Sequence, residues 1–153
     1  MNLLFVCTGN TCRSVMAEGI FSVLARNKKA NIRVSSAGIS AISGSLATEN
    51  AAMILKSRLG IDVYEREAVQ LTREHMVENT LILTMTDYIA GVLKNNFPQH
   101  IEKIYSFKEY IGEKGDVVDP YGGNIFIYEK TFDILTEKMD LIIKKLYEKE
   151  DNL

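Results

Sequence analysis

The sequence predicts one three-layer α/β domain over residues 1–153, with a twisted parallel sheet of about four strands and helices on both faces. Short apolar runs alternate along the chain with longer amphipathic segments, which is the order of βαβ units. A length of 153 residues suffices for one hydrophobic core but not for two ordinary domains. The apolar share of 46% and the charged share of 25% are typical of globular proteins and exclude a disordered chain, a collagen and a coiled coil.

Two strands and two helices are predicted in the N-terminal half. Residues 2–6 form an unalternating apolar run, as expected of a strand buried on both faces of a parallel sheet. A turn-forming stretch follows, and a helical pattern begins near Arg13. Residues 32–36 are predicted to form a second strand, and residues 47–59 a second helix that stops at Gly60.

The C-terminal half continues the alternation. Residues 80–85 predict a buried strand, and the apolar positions after them predict a helix that ends at Pro98. Residues 101–107 are a candidate fourth strand. From Ile125 onward, apolar residues recur at steps of four and three, and these predict a long amphipathic helix: Tyr128, Phe132, Leu135, Met139, Ile142 and Leu146. We expect this helix to dock on the sheet rather than on a partner protein.

Charge and cysteine content exclude several classes of protein. The net charge of −2 argues against a general nucleic-acid or anionic-membrane binder, because both need a basic excess. No run of 18 apolar residues and no signal-peptide pattern occurs, so we expect a cytoplasmic protein without a membrane partner. We also expect the protein to be a monomer. Two cysteines make no disulfide framework, and the isolated His75 and His100 complete no metal-ligand spacing, so no metal or cofactor is predicted.

The first loop carries the clearest sign of chemistry. Ligands of open α/β sheets bind at the carboxyl ends of the strands, and Cys7 lies at such an end. The backbone N–H groups of residues 8–13 can curl into a concave nest for a tetrahedral oxyanion, and the following helix adds the positive end of its dipole. Gly9 permits the backbone path, and Arg13 supplies a planar fork for two anionic oxygens. We therefore expect Cys7 to be a nucleophilic thiolate rather than an inert buried cysteine.

The same loop, with the sequence Cys7-Thr8-Gly9-Asn10-Thr11-Cys12-Arg13-Ser14, resembles the phosphate loop of the low-molecular-weight protein tyrosine phosphatases. The family's loop reads Cys, any residue, Gly-Asn, any residue, Cys-Arg-Ser. The likeness covers essentially the whole chain, since residues 34–38 and 81–86 resemble the family's next two strands. Residues 119–122 resemble its acid loop. Val15 departs from the family's usual proline, which should weaken the helix start without touching the chemistry.

The resemblance implies a phosphate site made of residues 8–14 and three catalytic roles. Cys7 attacks phosphorus and forms a phosphocysteine, and Arg13 holds the equatorial oxygens of the transition state. Asp119 protonates the leaving group and then activates water. Without the resemblance, Asp119 and its proline are equally consistent with an ordinary turn in the irregular segment 112–123, which is either disordered or a functional loop.

Further residues take supporting roles in the same resemblance. Ser14 is expected to donate a hydrogen bond to the Cys7 thiolate, and Asn10 to brace the loop from within. Ser36 ties the second strand to the loop, unless it is only a serine at a strand end. Tyr121 is expected to form one wall of the substrate pocket. Cys12 is close enough in sequence to form a disulfide with an oxidised Cys7 and so to protect it from over-oxidation.

Thr11 bears on the choice of substrate. Most family members carry an aliphatic residue there, whereas a branch resembling the bacterial protein-arginine phosphatases carries threonine. Phosphoarginine is therefore the expected substrate and phosphotyrosine the alternative. A thioredoxin-coupled arsenate reductase is disfavoured because no cysteine follows Cys12. A cysteine phosphocarrier is disfavoured because it needs neither a catalytic arginine nor a proton donor. A catalytically silent phosphoprotein-binding module is disfavoured because it usually lacks the cysteine or the acid, and both are present here.

Overall fold

The computed structural model describes residues 1–26, Lys28 and residues 31–150. Within these residues, four parallel strands form one sheet in the order β2-β1-β3-β4. The strands are β1 (Asn2–Cys7), β2 (Arg33–Gly38), β3 (Leu81–Thr84) and β4 (Ile104–Ser106). The predicted α/β fold with a four-stranded parallel sheet is therefore confirmed.

Helices cover both faces of this sheet. They are α1 (Arg13–Leu24), α2 (Glu49–Leu59), α3 (Arg73–Glu78), α4 (Asp87–Asn96), α5 (Phe107–Tyr110) and α6 (Ile125–Glu150). Leu3 and Phe5 point to the face that is packed by α1, α2, α5 and α6, whereas Leu4 and Val6 point to the face packed by α3 and α4. Side chains of β1 thus alternate between two separate apolar cores, as buried parallel strands require.

The long C-terminal helix is confirmed as a core element. Leu135, Met139 and Ile142 of α6 are fully buried, and they belong to the same apolar cluster as the β1 side chains Leu3 and Phe5. The helix packs chiefly on α1 and α2 and closes this layer over the sheet. No helix in the described part of the chain is both long and apolar enough to cross a lipid bilayer.

The prediction of a strand over residues 101–107 is wrong at both ends. Residues Pro98–Lys103 form a 3₁₀ helix, and β4 has only three residues. Proline is favoured in the first turn of a helix, and here Pro98 begins one. At the other end, the Ser106 hydroxyl accepts from the backbone of Glu109, whose carboxylate accepts from Ser106, so a capping box starts α5 directly after β4.

Three smaller differences concern element boundaries. Helix α3 was not expected, because only Met76 of its six residues is buried and no apolar stripe marks it. Helix α2 begins at Glu49 instead of Ala47, since Thr48 is its N-cap. Strand β2 continues to Gly38, where it stays in register with Cys7 of β1.

Candidate active site

The first loop encloses the sulfur of Cys7. Cys7 ends β1, residues 8–12 form the loop, and α1 begins at Arg13. The backbone N–H of Asn10 donates to Cys7 Sγ at 3.2 Å, and Ser14 Oγ lies 2.9 Å from the same sulfur. These contacts stabilise negative charge on the sulfur, as a nucleophilic thiolate requires.

Asn10 holds the loop in this shape. It is fully buried and has a φ of 55°, a left-handed conformation that asparagine tolerates better than most residues. Its Nδ2 donates to Ser14 Oγ at 2.8 Å and to Ser36 Oγ at 3.0 Å. Because Ser14 Oγ already accepts this hydrogen bond, its own proton is free to point at Cys7 Sγ. The structure thus brings the three predicted supporting residues into one network with the cysteine.

Arg66 completes this network, and sequence reasoning did not find it. The Oδ1 atom of Asn10 accepts from Arg66 Nη1 at 3.0 Å and from Val69 N at 2.9 Å. Arg66 Nη2 donates to Ser36 Oγ at 2.9 Å and lies 3.3 Å from Glu18 Oε2. Neither Arg66 nor Glu18 belongs to a local motif, because the contact joins α1 to a segment 48 positions further along the chain.

The backbone of the loop is also clamped by the segment that follows β2. The amide of Ile39 donates to Cys7 O at 3.1 Å, and that of Ser40 donates to Thr8 O at 2.9 Å. Gly38 lies so close that a Cβ atom there would be 2.6 Å from Thr8 O and 3.0 Å from Asn10 N. Only glycine therefore allows β2 to approach the loop this closely.

The irregular segment 112–123 brings Asp119 to the same site across 112 positions of sequence. Asp119 Oδ2 lies 3.4 Å from Arg13 Nη2, and its Oδ1 accepts from Tyr121 N at 3.1 Å. The thiol of Cys12 lies 3.7 Å from Asp119 Oδ1. Arg13 itself is 5% exposed, and its Nη1 donates to Val117 O at 3.1 Å. A carboxyl group in the position of Asp119 can reach a substrate group that is bound over Cys7.

A cleft of about 290 Å³ lies over the cysteine. Its floor and rim include most of the predicted loop residues, and Thr11 and Tyr121 stand among its walls. Three wall residues were not anticipated from the sequence: Ser40, Ile42 and Ser45. The Nε atom of Arg13 is buried and has no hydrogen-bond partner among the described residues, so its donor capacity is unused within the domain.

Cys12 differs from Cys7 in its surroundings. Burial raises the pKa of the Cys12 thiol to about 12, and the nearby Cys7 and Asp119 charges add to the effect. Cys12 is therefore a neutral thiol at neutral pH and competes neither as a nucleophile nor as an anion in the cleft. Both cysteines are free in the structure.

Comparison with known proteins identifies the family. The family model described as low molecular weight phosphotyrosine protein phosphatase matches residues 2–152. The chain belongs to this family. The chain is therefore a cysteine-based protein phosphatase, which is a hydrolase that acts on phosphorylated proteins and releases phosphate.

Individual relatives carry two different substrate names. The protein-arginine-phosphatase of Bacillus subtilis (strain 168) is 38% identical over 148 residues, covering 95% of this chain and 97% of the relative. A low molecular weight protein tyrosine phosphatase from T. tengcongensis superposes with a TM-score of 0.90 at 39% identity, over 95% of this phosphatase and 99% of that chain. YwlE arginine phosphatase, solved as a cysteine-to-serine mutant with a phosphorylated active site serine, gives a TM-score of 0.90 at 38% identity and 96% coverage of both chains.

Gly38→Ala tests the close approach of β2 to the loop. The added methyl group must displace the backbone at Thr8 and Asn10. We expect a loss of about 1–3 kcal/mol in the free energy of unfolding. We also expect at least a roughly tenfold fall in kcat/KM for 4-nitrophenyl phosphate, since small misplacements of reacting groups are costly.

Gly91→Ala in α4 is the matched control, because a Cβ atom there meets no atom within 4 Å. It should raise stability by about 0.5–1 kcal/mol and leave kcat/KM unchanged. Full activity of Gly38→Ala, measured beside this control, would show that the loop tolerates displacement.

Proposed function

We propose that this phosphatase hydrolyses phosphoarginine side chains of proteins in preference to phosphotyrosine, through a phosphocysteine at Cys7. The observation that carries the proposal is the meeting of Cys7, Arg13 and Asp119 at one cleft whose rim presents the Thr11 side chain. Residues 8–14 form its phosphate site. The left-handed backbone of this loop lies at Asn10, and a Cβ atom at Gly9 would come no closer than 3.7 Å to Thr11 Oγ1, so the predicted need for glycine at position 9 is wrong. The phosphorylated active-site serine in the YwlE mutant supports a phosphoryl group carried by the enzyme.

The first step transfers the phosphoryl group to sulfur. The Cys7 thiolate attacks phosphorus and forms a P–S bond, while the P–N bond to the guanidino group, or the P–O bond to the phenol, breaks. The electron pair of the broken bond stays on the leaving atom, which takes the proton of the Asp119 carboxyl group. Backbone amides of the loop and the unpartnered Arg13 Nε hold the equatorial oxygens.

The second step restores the enzyme. Asp119, now ionised, accepts a proton from a water molecule that attacks phosphorus opposite the sulfur. The P–S bond breaks, the electron pair returns to Cys7 as a thiolate, and inorganic phosphate leaves. Ser14 and the Asn10 amide stabilise this thiolate as a leaving group by the hydrogen bonds they already make to the sulfur.

Thr11 supports the choice of phosphoarginine. A phosphoguanidinium is planar and carries several N–H donors, and an apolar wall leaves each buried donor unpaired at a cost of about 1–3 kcal/mol. The Thr11 hydroxyl is an acceptor at the rim, and the Asp119 side chain lines the same cleft and supplies further oxygen atoms to N–H donors. A phenyl ring gains nothing from that acceptor and prefers an aliphatic neighbour.

The tyrosine alternative is favoured by a different observation. Tyr121 and Ile42 stand in the cleft wall, and both are 73% exposed, so they offer apolar surface to an aromatic ring. We therefore keep phosphotyrosine as a weaker activity. An arsenate reductase lacks support, because no cysteine follows Cys12. A phosphocarrier gains nothing from an acid beside the arginine.

The setting of the enzyme follows from the same chemistry. We propose that it acts in the cytoplasm, where a reducing environment keeps Cys7 in its reduced form. A net charge of −2 disfavours nucleic acid and anionic membranes as partners. We also propose that residues 1–153 form one phosphatase domain that acts as a monomer, without metal or cofactor, since the proposed steps use only groups of one chain and water.

Thr11→Val tests the substrate preference, because valine keeps the shape of threonine and removes the hydroxyl. We expect the ratio of kcat/KM for phosphoarginine to kcat/KM for phosphotyrosine peptides to fall about tenfold, equivalent to about 1.4 kcal/mol. Thr11→Ile should lower it at least as much. Thr11→Ser keeps the hydroxyl and should keep the ratio. An unchanged ratio in Thr11→Val would remove Thr11 from the specificity argument, and a ratio below one in the unmodified enzyme would make phosphotyrosine the preferred substrate.

Asp119→Asn tests the proton donor. The substitution should lower kcat/KM for phenyl phosphate by about a hundredfold or more, because a poor leaving group needs the proton. Hydrolysis of 4-nitrophenyl phosphate, whose leaving group is stable as an anion, should change much less. Equal losses on the two substrates would mean that Asp119 shapes the loop and donates no proton.

Cys12 is proposed to protect the nucleophile from oxidation. Peroxide converts the Cys7 thiolate to a sulfenic acid, and condensation with the Cys12 thiol gives a disulfide and water. Oxidation also removes the Cys7 charge that contributes to the high pKa of Cys12, so the thiol becomes easier to ionise at that moment. Two equivalents of an external thiol then reduce the disulfide.

Cys12→Ser tests this protection. After a pulse of peroxide followed by a thiol reductant, the native enzyme should recover most of its activity, whereas the variant should recover little because its Cys7 proceeds to sulfinic acid. Mass spectrometry counts the added oxygen atoms. Comparable recovery of the two proteins would exclude the protective role.

A further inference from the structure

The acid loop is fixed to the body of the domain directly before Asp119. The carboxylate of Asp116 accepts from Asp87 N, the first amide of α4, at 2.8 Å. Val117 N donates to Met85 O at 2.9 Å, and Val117 O accepts from Arg13 at 3.1 Å. Two adjacent residues thus tie the loop to the end of β3, to α4 and to the phosphate site.

The Asp116 contact is electrostatically favourable but is not needed by the helix itself. A carboxylate at a helix N-terminus meets unsatisfied amides and the positive end of the dipole. Helix α4 already has its own N-cap, since Thr86 Oγ1 accepts from Ile89 N at 3.2 Å. The hydrogen bond from Asp87 N to Asp116 therefore serves to place the loop more than to begin the helix.

The loop needs this attachment because its backbone is otherwise permissive. Gly115 and Gly122 lie on either side of Asp119 and have φ values of 102° and 79°. Glycine at such positions lets the chain adopt many paths. The Asp119 side chain itself is half exposed and held mainly by Arg13 and Tyr121 N.

The contact with Arg13 weakens at the moment of catalysis. Phosphate oxygens of a substrate compete with Asp119 for the Arg13 guanidinium, and a protonated Asp119 has no charge to offer it. The position of the acid then depends on the backbone that leads to it.

We propose that Asp116 is a positioning residue, which holds Asp119 within reach of the leaving group by fixing the acid loop to the N-terminus of α4. The inference rests on the proposed role of Asp119 as the proton donor. Asp116 touches no reacting atom. Its effect is therefore confined to the two proton transfers of Asp119, while the phosphate site remains intact, and kcat/KM measures the first of these transfers.

The test compares two variants of Asp116 on two substrates. Asp116→Ala should lower kcat/KM for phenyl phosphate by about threefold to tenfold and for 4-nitrophenyl phosphate by less than roughly twofold. The inhibition constant of inorganic phosphate should stay unchanged, because Arg13 and the loop amides are untouched. Asp116→Asn should restore most of the phenyl phosphate activity, since its amide oxygen still accepts from Asp87 N.

Thr86→Ala is the matched control, because it removes a cap of the same helix without touching the acid loop. It should leave the substrate ratio unchanged. A uniform loss in Asp116→Ala, an absence of rescue by asparagine, or the same substrate-dependent loss in Thr86→Ala would overturn the inference. If Asp119→Asn shows no dependence on the leaving group, the proposed proton donor itself fails. If Asp119→Asn shows that dependence and Asp116→Ala does not, only the positioning role fails.

Discussion

The site depends on the hydrogen bonds of one buried asparagine. Asn10 adopts a left-handed backbone conformation that turns its own amide toward Cys7 Sγ. Its side chain meanwhile donates to Ser14 and Ser36 and accepts from Arg66 and Val69, so all its polar capacity is used inside the protein. A buried amide that lost any of these partners would carry a desolvation cost of about 1–3 kcal/mol, which keeps the loop in one shape.

This arrangement separates support from chemistry. Arg66 and Ser36 contact the loop through Asn10, and Glu18 contacts Arg66 and Ser36 behind them. Arg13 and Asp119 instead line the cleft. The network behind the loop is formed before any substrate binds, so no reorganisation is required when charge moves to the leaving group. On the cleft side Arg13 is buried, whereas Asp119 is half exposed, and the proposed mechanism requires Asp119 to change its protonation state in each turnover.

Local patterns in the sequence predicted those features of the fold that depend on residues close together in the chain. The apolar run before Cys7, the Gly-Asn turn and the helix start at Arg13 lie within fourteen residues, so the strand, loop and helix start around Cys7 were predictable. The α/β order and helix α6 followed from hydrophobic periodicity. The placement of Asp119 came only from the family resemblance.

The contact of Arg66 with Asn10 joins residues 56 positions apart, and no periodicity or motif encodes such a contact. The error at residues 101–107 has a different origin. Four apolar or aromatic side chains among seven residues favoured a strand prediction, although Pro98 and the Ser106-Glu109 capping box favour helical turns on both sides. Capping signals are local, and they were present in the sequence.

The chemistry of the transferred group explains why family membership defines the reaction more sharply than the substrate. Phosphoarginine and phosphotyrosine present the same phosphoryl group to the sulfur, so the loop, Arg13 and the network behind them meet identical atoms in both cases. Only the rim meets the leaving group, and its wall consists of a few side chains, among them Thr11, Ile42 and Tyr121. Exposed side chains of this kind change without disturbing the core. Relatives of similar overall identity carry different substrate names, which fits the proposal that rim positions such as Thr11 decide between the two substrates.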